Sequence, residues 1–400
     1  MKYLPAISKL SLLLAACQAT SFYPVTAGPF AEAYLAGLHQ SRSDVDIPCL
    51  MHCEDALDDL ILEKPDDPQL FARRGGVRRE LGELYPALDD YRKAMALDET
   101  SAELFAERAA VWTLLGQYRH AIGDYCSALE LDPNRIQARV HLGFLYLATR
   151  RHREALGEFE KALERDPACS IASVGRGCAF ADVEDYERAI VNFTAAIHSD
   201  PENGTLYEQR SAAQCLAGHY EHAISDRTEA IRLRPTVAYN YLWRGQCRAQ
   251  VKDFGGALAD VDASLQRDPD SVESFWLRGA IYARLGEFAE SCAAFDEVAR
   301  LAPELLQVYL ARGFVRMEMG DFELAVDDFT RVLAKDREDG WALFFRAKAR
   351  WKCGDYENAV NDFEKTIREN GPHAAVFCEF AELRVECPDL QFRDVEEGLY

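Results

Sequence analysis

The chain has 400 residues, 48% of them hydrophobic and 28% charged, a composition that indicates a folded protein rather than a disordered one. Its formal net charge of −22 would repel a phosphate backbone, so we expect no nucleic acid among its partners. Every apolar run is shorter than the roughly 18 residues that cross a bilayer, and we therefore expect no transmembrane helix.

The N-terminal segment, residues 1–30, does not share the pattern of the rest. A short apolar stretch follows Lys9 and ends in Leu-Ala-Ala-Cys at Cys17. This resembles a bacterial lipoprotein signal, which implies lipid on Cys17 and a tether after it. Lys9 leaves the apolar stretch at the lower limit for a signal core, and a cap over the first repeat is the alternative. We expect a cytoplasmic protein, with an outer-membrane lipoprotein anchored at Cys17 as the alternative.

A 34-residue period occupies residues 68–373, which divide into nine units. The period is visible in prolines that stand 34 residues apart: Pro133, Pro167, Pro201, Pro235, Pro269 and Pro303. A proline at this spacing ends one helix and starts the next unit. Because a period of this length is typical of repeats that stack, we expect a solenoid rather than two or three globular domains.

Each unit is predicted to contain two helices. An alanine such as Ala155 recurs in the second helix, and an aromatic such as Phe159 often follows four residues later, which places both on one buried face. A small residue such as Gly143 recurs in the first helix, where it allows close approach. Glycines such as Gly116 recur between the two helices, where a left-handed C-cap is expected.

These residues resemble the tetratricopeptide repeat (TPR) pattern, for example Gly143, Tyr146, Ala155, Phe159 and Pro167. The resemblance implies an all-α, right-handed superhelical solenoid of helix-turn-helix repeats. It is weak over residues 31–67, which we interpret as a degenerate N-terminal repeat. Residues 374–400 resemble the half-repeat and capping helix that close many bacterial TPR proteins.

Two residue types recur with the same period and predict a ladder of ion pairs. Arginine precedes the small residue of the first helix in every unit but one, where Leu142 replaces it. An acidic or amide residue follows the second-helix alanine by three positions, and Ala294 alone breaks that series. We expect Arg–carboxylate pairs that fix the register of the helices, and a row of anion sites is the less favoured alternative.

In TPR proteins the second, fifth, ninth and twelfth positions of each repeat tend to line a concave groove that binds a peptide or a partner helix. The Lys and Asn that some co-chaperones use there are absent, so we expect no chaperone tail. The C-terminal repeats instead concentrate aromatic and apolar residues, which interfaces enrich. The predicted groove residues are Tyr239, Leu242, Gln246, Trp276, Leu310, Phe314, Met317, Trp341, Phe344 and Trp351. The alternative is that several of them pack between neighbouring first helices.

Signals of catalysis or of a cofactor are weak. The sequence contains no phosphate-binding glycine loop, and we predict no catalytic residue, cofactor or small-molecule substrate. Cys49, His52 and Cys53 share one helix face, but a fourth metal ligand has no obvious source, so we expect packing rather than a metal site. The twelve cysteines include no CxxC, and we expect them to be reduced.

The sequence therefore predicts a non-catalytic scaffold that binds a protein or peptide in the TPR groove. One alternative is a lipid-anchored assembly factor at the outer membrane. Another is an accessory subunit of an enzyme complex. The family resemblance extends as far as protein binding, because TPR repeats serve unrelated processes.

Overall fold

The computed structural model describes residues 47–370 and 380–385. Residues 47–370 form nineteen α-helices, residues 380–385 are also helical, and these two described ranges contain no β-strand. The prediction of an all-α helical repeat solenoid is confirmed. The helices are α1 Ile47–Glu63, α2 Pro68–Leu81, α3 Leu84–Leu97, α4 Ala102–Leu114, α5 Tyr118–Leu131, α6 Ile136–Ala148, α7 His152–Arg165, α8 Ser170–Asp182, α9 Tyr186–Ser199, α10 Gly204–Leu216, α11 Tyr220–Leu233, α12 Ala238–Gln250, α13 Phe254–Leu265, α14 Val272–Leu285, α15 Phe288–Leu301, α16 Leu306–Met319, α17 Phe322–Lys335, α18 Gly340–Lys352 and α19 Tyr356–Asn370.

The described helices belong to two compact units that divide between Arg234 and Pro235. The first unit contains α1–α11, and each helix from α1 to α10 packs against the next one along the chain. The second unit contains α12–α19 and the helical residues 380–385, with the same sequential packing from α12 to α19. From α2 onward the even-numbered helices are the first helices of the predicted repeats, and the odd-numbered helices are the second.

Several sequence-based predictions concern residues outside the described ranges. These are the lipoprotein-like segment 1–30 with Cys17, residues 31–46 of the degenerate repeat 31–67, and segment 374–400 apart from residues 380–385. The segment boundaries stay predictions. None of the described helices combines the length and the low polarity that a bilayer span requires.

Aromatic rings fill the space that small residues leave between the helices. The buried ring of Phe159 on α7 lies against Gly143 on α6 and against Gly175 on α8. A Cβ atom at Gly143 would lie 2.6 Å from Cε1 of this ring, and one at Gly175 would overlap the ring. The same ring therefore sets the spacing within one repeat and the spacing to the next.

Turns between the two helices of a repeat require left-handed backbone. The predicted glycine positions have positive φ, for example 70° at Gly116, so the predicted C-caps are confirmed. Three repeats have another residue at this position, and it adopts the same conformation: φ is 60° at Arg150, 62° at Glu184 and 66° at Lys252. A side chain in this region strains the backbone, so the repeat fold imposes the turn on residues that do not favour it.

The cysteines differ in part from expectation. Cys126, Cys169, Cys178, Cys292 and Cys353 form no disulfide. Cys215 and Cys247, however, are disulfide-bonded. The expectation of reduced thiols throughout the chain is therefore wrong for these two residues.

The strained turns give a direct test of the repeat geometry. We expect Glu184→Gly to raise the free energy of unfolding by about 1 kcal/mol, because glycine adopts positive φ without steric cost. The matched control is Gly116→Ala, where an added Cβ would meet no atom within 4 Å and only the backbone cost remains. Chemical denaturation should show opposite signs for the two variants. A loss of stability in both would contradict strain at Glu184.

Candidate functional site

The predicted ladder of ion pairs is present in both units. Six arginines of first helices each make two parallel hydrogen bonds, of 2.5–3.0 Å, to a carboxylate of the second helix. The pairs are Arg74–Asp90, Arg108–Asp124, Arg210–Asp226, Arg244–Asp260, Arg312–Asp328 and Arg346–Asp362. Arg176 makes one bond of 2.6 Å to Asn192. The prediction of a periodic Arg–carboxylate ladder is confirmed.

The guanidinium groups also reach the preceding repeat. Nη1 of Arg312 donates to Asp296 on α15 at 2.6 Å, while its other two bonds go to Asp328 on α17. Nη1 of Arg210 likewise donates to Thr194 on α9 at 3.0 Å. One arginine side chain thus ties its own helix to the second helices of two successive repeats.

Each break in the ladder has its own structural outcome. Where Leu142 replaces the arginine, Arg139 lies one turn earlier on α6 and donates to Glu158 at 2.9 Å, so the pair is rebuilt from another position. Where Ala294 replaces the carboxylate, Arg278 instead contacts Asp262 on the preceding second helix. The side chain of Asp262 is 62% exposed. Repeat α14–α15 therefore lacks the buried pair.

The arginines and carboxylates of the ladder neutralise one another's charge. The hydrogen bond to Asp90 raises the pKa of Arg74, and the hydrogen bond to Asp226 raises the pKa of Arg210. Both groups thus stay charged at every accessible pH and hold buried carboxylates in place. A guanidinium with its donors already engaged is a poor anion ligand, which favours the structural role over a row of anion sites.

The ten predicted groove residues lie on α12, α14, α16 and α18 of the second unit, and we call this surface the 239–351 face. They differ widely in exposure. Five are only 5–8% exposed: Leu242, Trp276, Phe314, Phe344 and Trp351. Tyr239, Leu310 and Met317 are half-buried, and Gln246 and Trp341 are exposed.

The buried members of this set pack against other rings. The Trp276 ring lies 5.5 Å from Phe295, and the Phe344 ring lies 5.9 Å from Phe363, both edge-on. These partners are the core aromatics of the second helices, so Trp276 and Phe344 belong mainly to the interior. Replacing them would test stability rather than binding, which makes them unsuitable as probes of the face.

Two aromatic residues of this region were missed by the sequence analysis because they stand at the sixth position of their repeats. Trp243 is half-buried and meets the Tyr239 ring edge-on at 5.6 Å. Phe345 is buried and stacks with Trp341, with ring centroids 6.0 Å apart and planes at 21°. Their i, i+4 spacing to Tyr239 and Trp341 is the signal that could have found them.

Metal-ligating side chains do not converge in the part of the chain that the structure describes. No three His, Cys, Asp or Glu side chains in those ranges come close enough to hold an ion. Cys49, His52 and Cys53 are exposed along α1. The local chemistry of the described residues thus consists of ion pairs, ring packing and a partly exposed apolar face.

Paired helices, small–aromatic contacts and a 34-residue period characterise one repeat family. The sequence model of the tetratricopeptide repeat matches residues 140–204, 244–305 and 310–375. The chain is a tetratricopeptide repeat protein. No curated protein sequence matches it.

Solved TPR structures resemble the chain at the level of fold. The C-terminal part of a TPR repeat-containing protein from Cytophaga hutchinsonii is 17% identical, with a TM-score of 0.52, over 60% of this chain and 98% of that one. YrrB, described as a TPR protein with an unusual peptide-binding site, is 21% identical, with a TM-score of 0.42, over 46% of this chain and 95% of its own. PilW, described as a type IV pilus biogenesis factor, is 18% identical, with a TM-score of 0.46, over 50% and 94%.

The role of the ladder can be tested with a matched pair of variants. Arg244→Ala removes two bonds from Asp260, whose side chain is 4% exposed, and we expect a loss of about 3 kcal/mol in unfolding free energy. Arg278→Ala removes the contact with the exposed Asp262 and a distant contact with the Phe275 ring, and we expect a loss below about 1 kcal/mol.

Thermal and chemical denaturation would measure both losses. Equal losses would contradict a structural ladder built on buried carboxylates. An Arg244→Ala variant that melts like the parent but no longer binds a ligand would instead favour the anion-site alternative.

Proposed function

We propose that this TPR protein is a non-catalytic scaffold that binds a peptide or partner segment on its 239–351 face. The repeats supply packed helix pairs, and protein–protein interaction is the role that this family shares. The observation that carries the proposal is Trp341, which is 53% exposed at the second position of its repeat. Trp is the residue type that contributes most often to binding hot spots.

The surroundings of Trp341 support a binding role. Its ring stacks on the buried Phe345, which holds the indole in one orientation and reduces the entropy lost on binding. Leu310 and Met317 on the neighbouring first helix α16 are half-buried, and they offer further apolar surface. A fixed exposed ring beside partly exposed aliphatic side chains can accept the apolar side of an amphipathic segment.

Site-directed photo-crosslinking tests the proposal. A photoreactive residue at position 341 should trap a partner in host cells, and one at position 324 should not. Leu324 is the matched control because it is a large apolar residue, 48% exposed, on the second helix α17 of the same unit. Trp341→Ala should weaken binding of the trapped partner by about 2 kcal/mol, roughly 30-fold in Kd.

The control variant Leu324→Ala should bind the partner as the parent does. Thermal melts of both variants check that the fold survives. Equal crosslinking from positions 341 and 324, or unchanged affinity in Trp341→Ala, would rule out the 239–351 face as the binding surface.

A lipid-anchored envelope factor is the second candidate, and one observation favours it over a cytoplasmic scaffold. Cys215 and Cys247 are disulfide-bonded, and disulfides persist mainly in oxidising compartments. An accessory subunit of an enzyme complex would use the same face, because it too would bind a protein. Cys17, the residue that would carry the lipid, lies outside the described residues.

The intact mass of the protein from its native host distinguishes the two locations. A mass that begins at a diacylated Cys17, together with partition into detergent, would place the protein in the envelope. The control variant Cys17→Ser should then lose the lipid mass and move to the aqueous phase. A mass that begins at Met1, in the aqueous phase of the parent protein, would exclude the anchor.

A further inference from the structure

A cavity of about 460 Å³ opens beside the 239–351 face, between the start of α14 and the start of α16. Its walls are mainly aliphatic, and two carboxylates stand among them. The lining comprises Val272, Ala302, Leu305 and Leu306, with Glu273 and Glu304. We call it the 272–307 cavity, and it is broadly open to solvent.

Two residues that line the cavity share a repeat position with aromatic residues of the proposed binding face. Gln307 also lines it. Glu273 and Gln307 occupy the second positions of two successive repeats, the position that Tyr239 holds one repeat before them and Trp341 one repeat after. A segment bound along the second positions would therefore pass the cavity between two aromatic residues.

The two cavity carboxylates differ from those of the ladder. Asp260 and Asp328 are buried and each is held by two arginines. Within the described residues, neither Glu273 nor Glu304 forms an ion pair with a basic side chain. The hydroxyl of Ser271 donates a long hydrogen bond of 3.5 Å to Glu273. Both carboxylates can thus accept a charged donor from outside the chain.

On these observations we propose that the 239–351 face selects a basic, apolar polypeptide segment, with a lysine or arginine entering the 272–307 cavity. The inference rests on the proposed function and adds the chemistry of the partner. The aliphatic stem of a long basic side chain would lie on Val272, Leu305 and Leu306, while its head group reaches Glu273 or Glu304. The chain's net charge of −22 would speed the approach of such a segment and repel an acidic one.

Selection from a random peptide display library tests the partner chemistry with the full-length protein. The parent should enrich peptides that combine lysine or arginine with aliphatic residues. Glu273→Gln/Glu304→Gln should lose this preference for basic peptides and bind the selected ones about tenfold more weakly in fluorescence polarisation. The matched control, Glu290→Gln/Glu323→Gln, changes two exposed carboxylates on the second helices α15 and α17 and should behave as the parent.

Counter-selection against Trp341→Ala separates the inference from the proposed function. Peptides that depend on Trp341 but are neutral or acidic would leave the binding face in place and overturn the basic partner. Basic peptides whose affinity is unchanged in Glu273→Gln/Glu304→Gln would overturn the role of the cavity. The absence of any Trp341-dependent peptide would overturn both. Affinity for the basic peptides should also fall as salt is added, because the contact is ionic.

Discussion

The contact between an aromatic ring on the second helix and a small residue on the first is the constraint on which this structure depends. Phe159 shows it most directly, because one ring touches Gly143 in its own repeat and Gly175 in the next. A Cβ atom at either glycine would overlap the ring, so the ring or a helix would have to move. The spacing that results brings Arg–carboxylate pairs within hydrogen-bond distance.

The ion pairs then decide which charges are left for function. A guanidinium that bonds two second helices has all three nitrogens engaged and its charge neutralised by a buried carboxylate, so it is a poor ligand for an anion. Residues outside the ladder remain available to a ligand, among them Trp341 on α18 and the carboxylates Glu273 and Glu304. A surface built mostly for packing thus keeps its binding groups at a few positions of the repeat.

The 34-residue period predicts the parts of the structure that depend only on position within a repeat. Helix pairs, left-handed turns and the ladder are of this kind, and each is encoded by one residue type at one spacing. Exposure is different, because it depends on which individual side chains surround each position. Trp276 and Trp341 are both predicted groove residues. Trp276 packs edge-on against Phe295 and is 5% exposed, whereas Trp341 is 53% exposed. The pair between Arg139 and Glu158 could not be predicted either, because Arg139 stands outside the periodic arginine position that Leu142 occupies.

The missing carboxylate at Ala294 has a consequence for motion. Helix α14 lacks the buried Arg–carboxylate pair that fastens the other first helices of the second unit, α12, α16 and α18, to their second helices. The same helix contributes Val272 and Glu273 to the 272–307 cavity. Local opening in a solenoid occurs where the fewest strong contacts must break. Amide protons of α14 should exchange with solvent faster than those of α16, whose Arg312 is fully engaged. Faster exchange in α14 would mean that the cavity wall formed by Val272 and Glu273 opens more readily than the wall formed by Leu306 and Gln307.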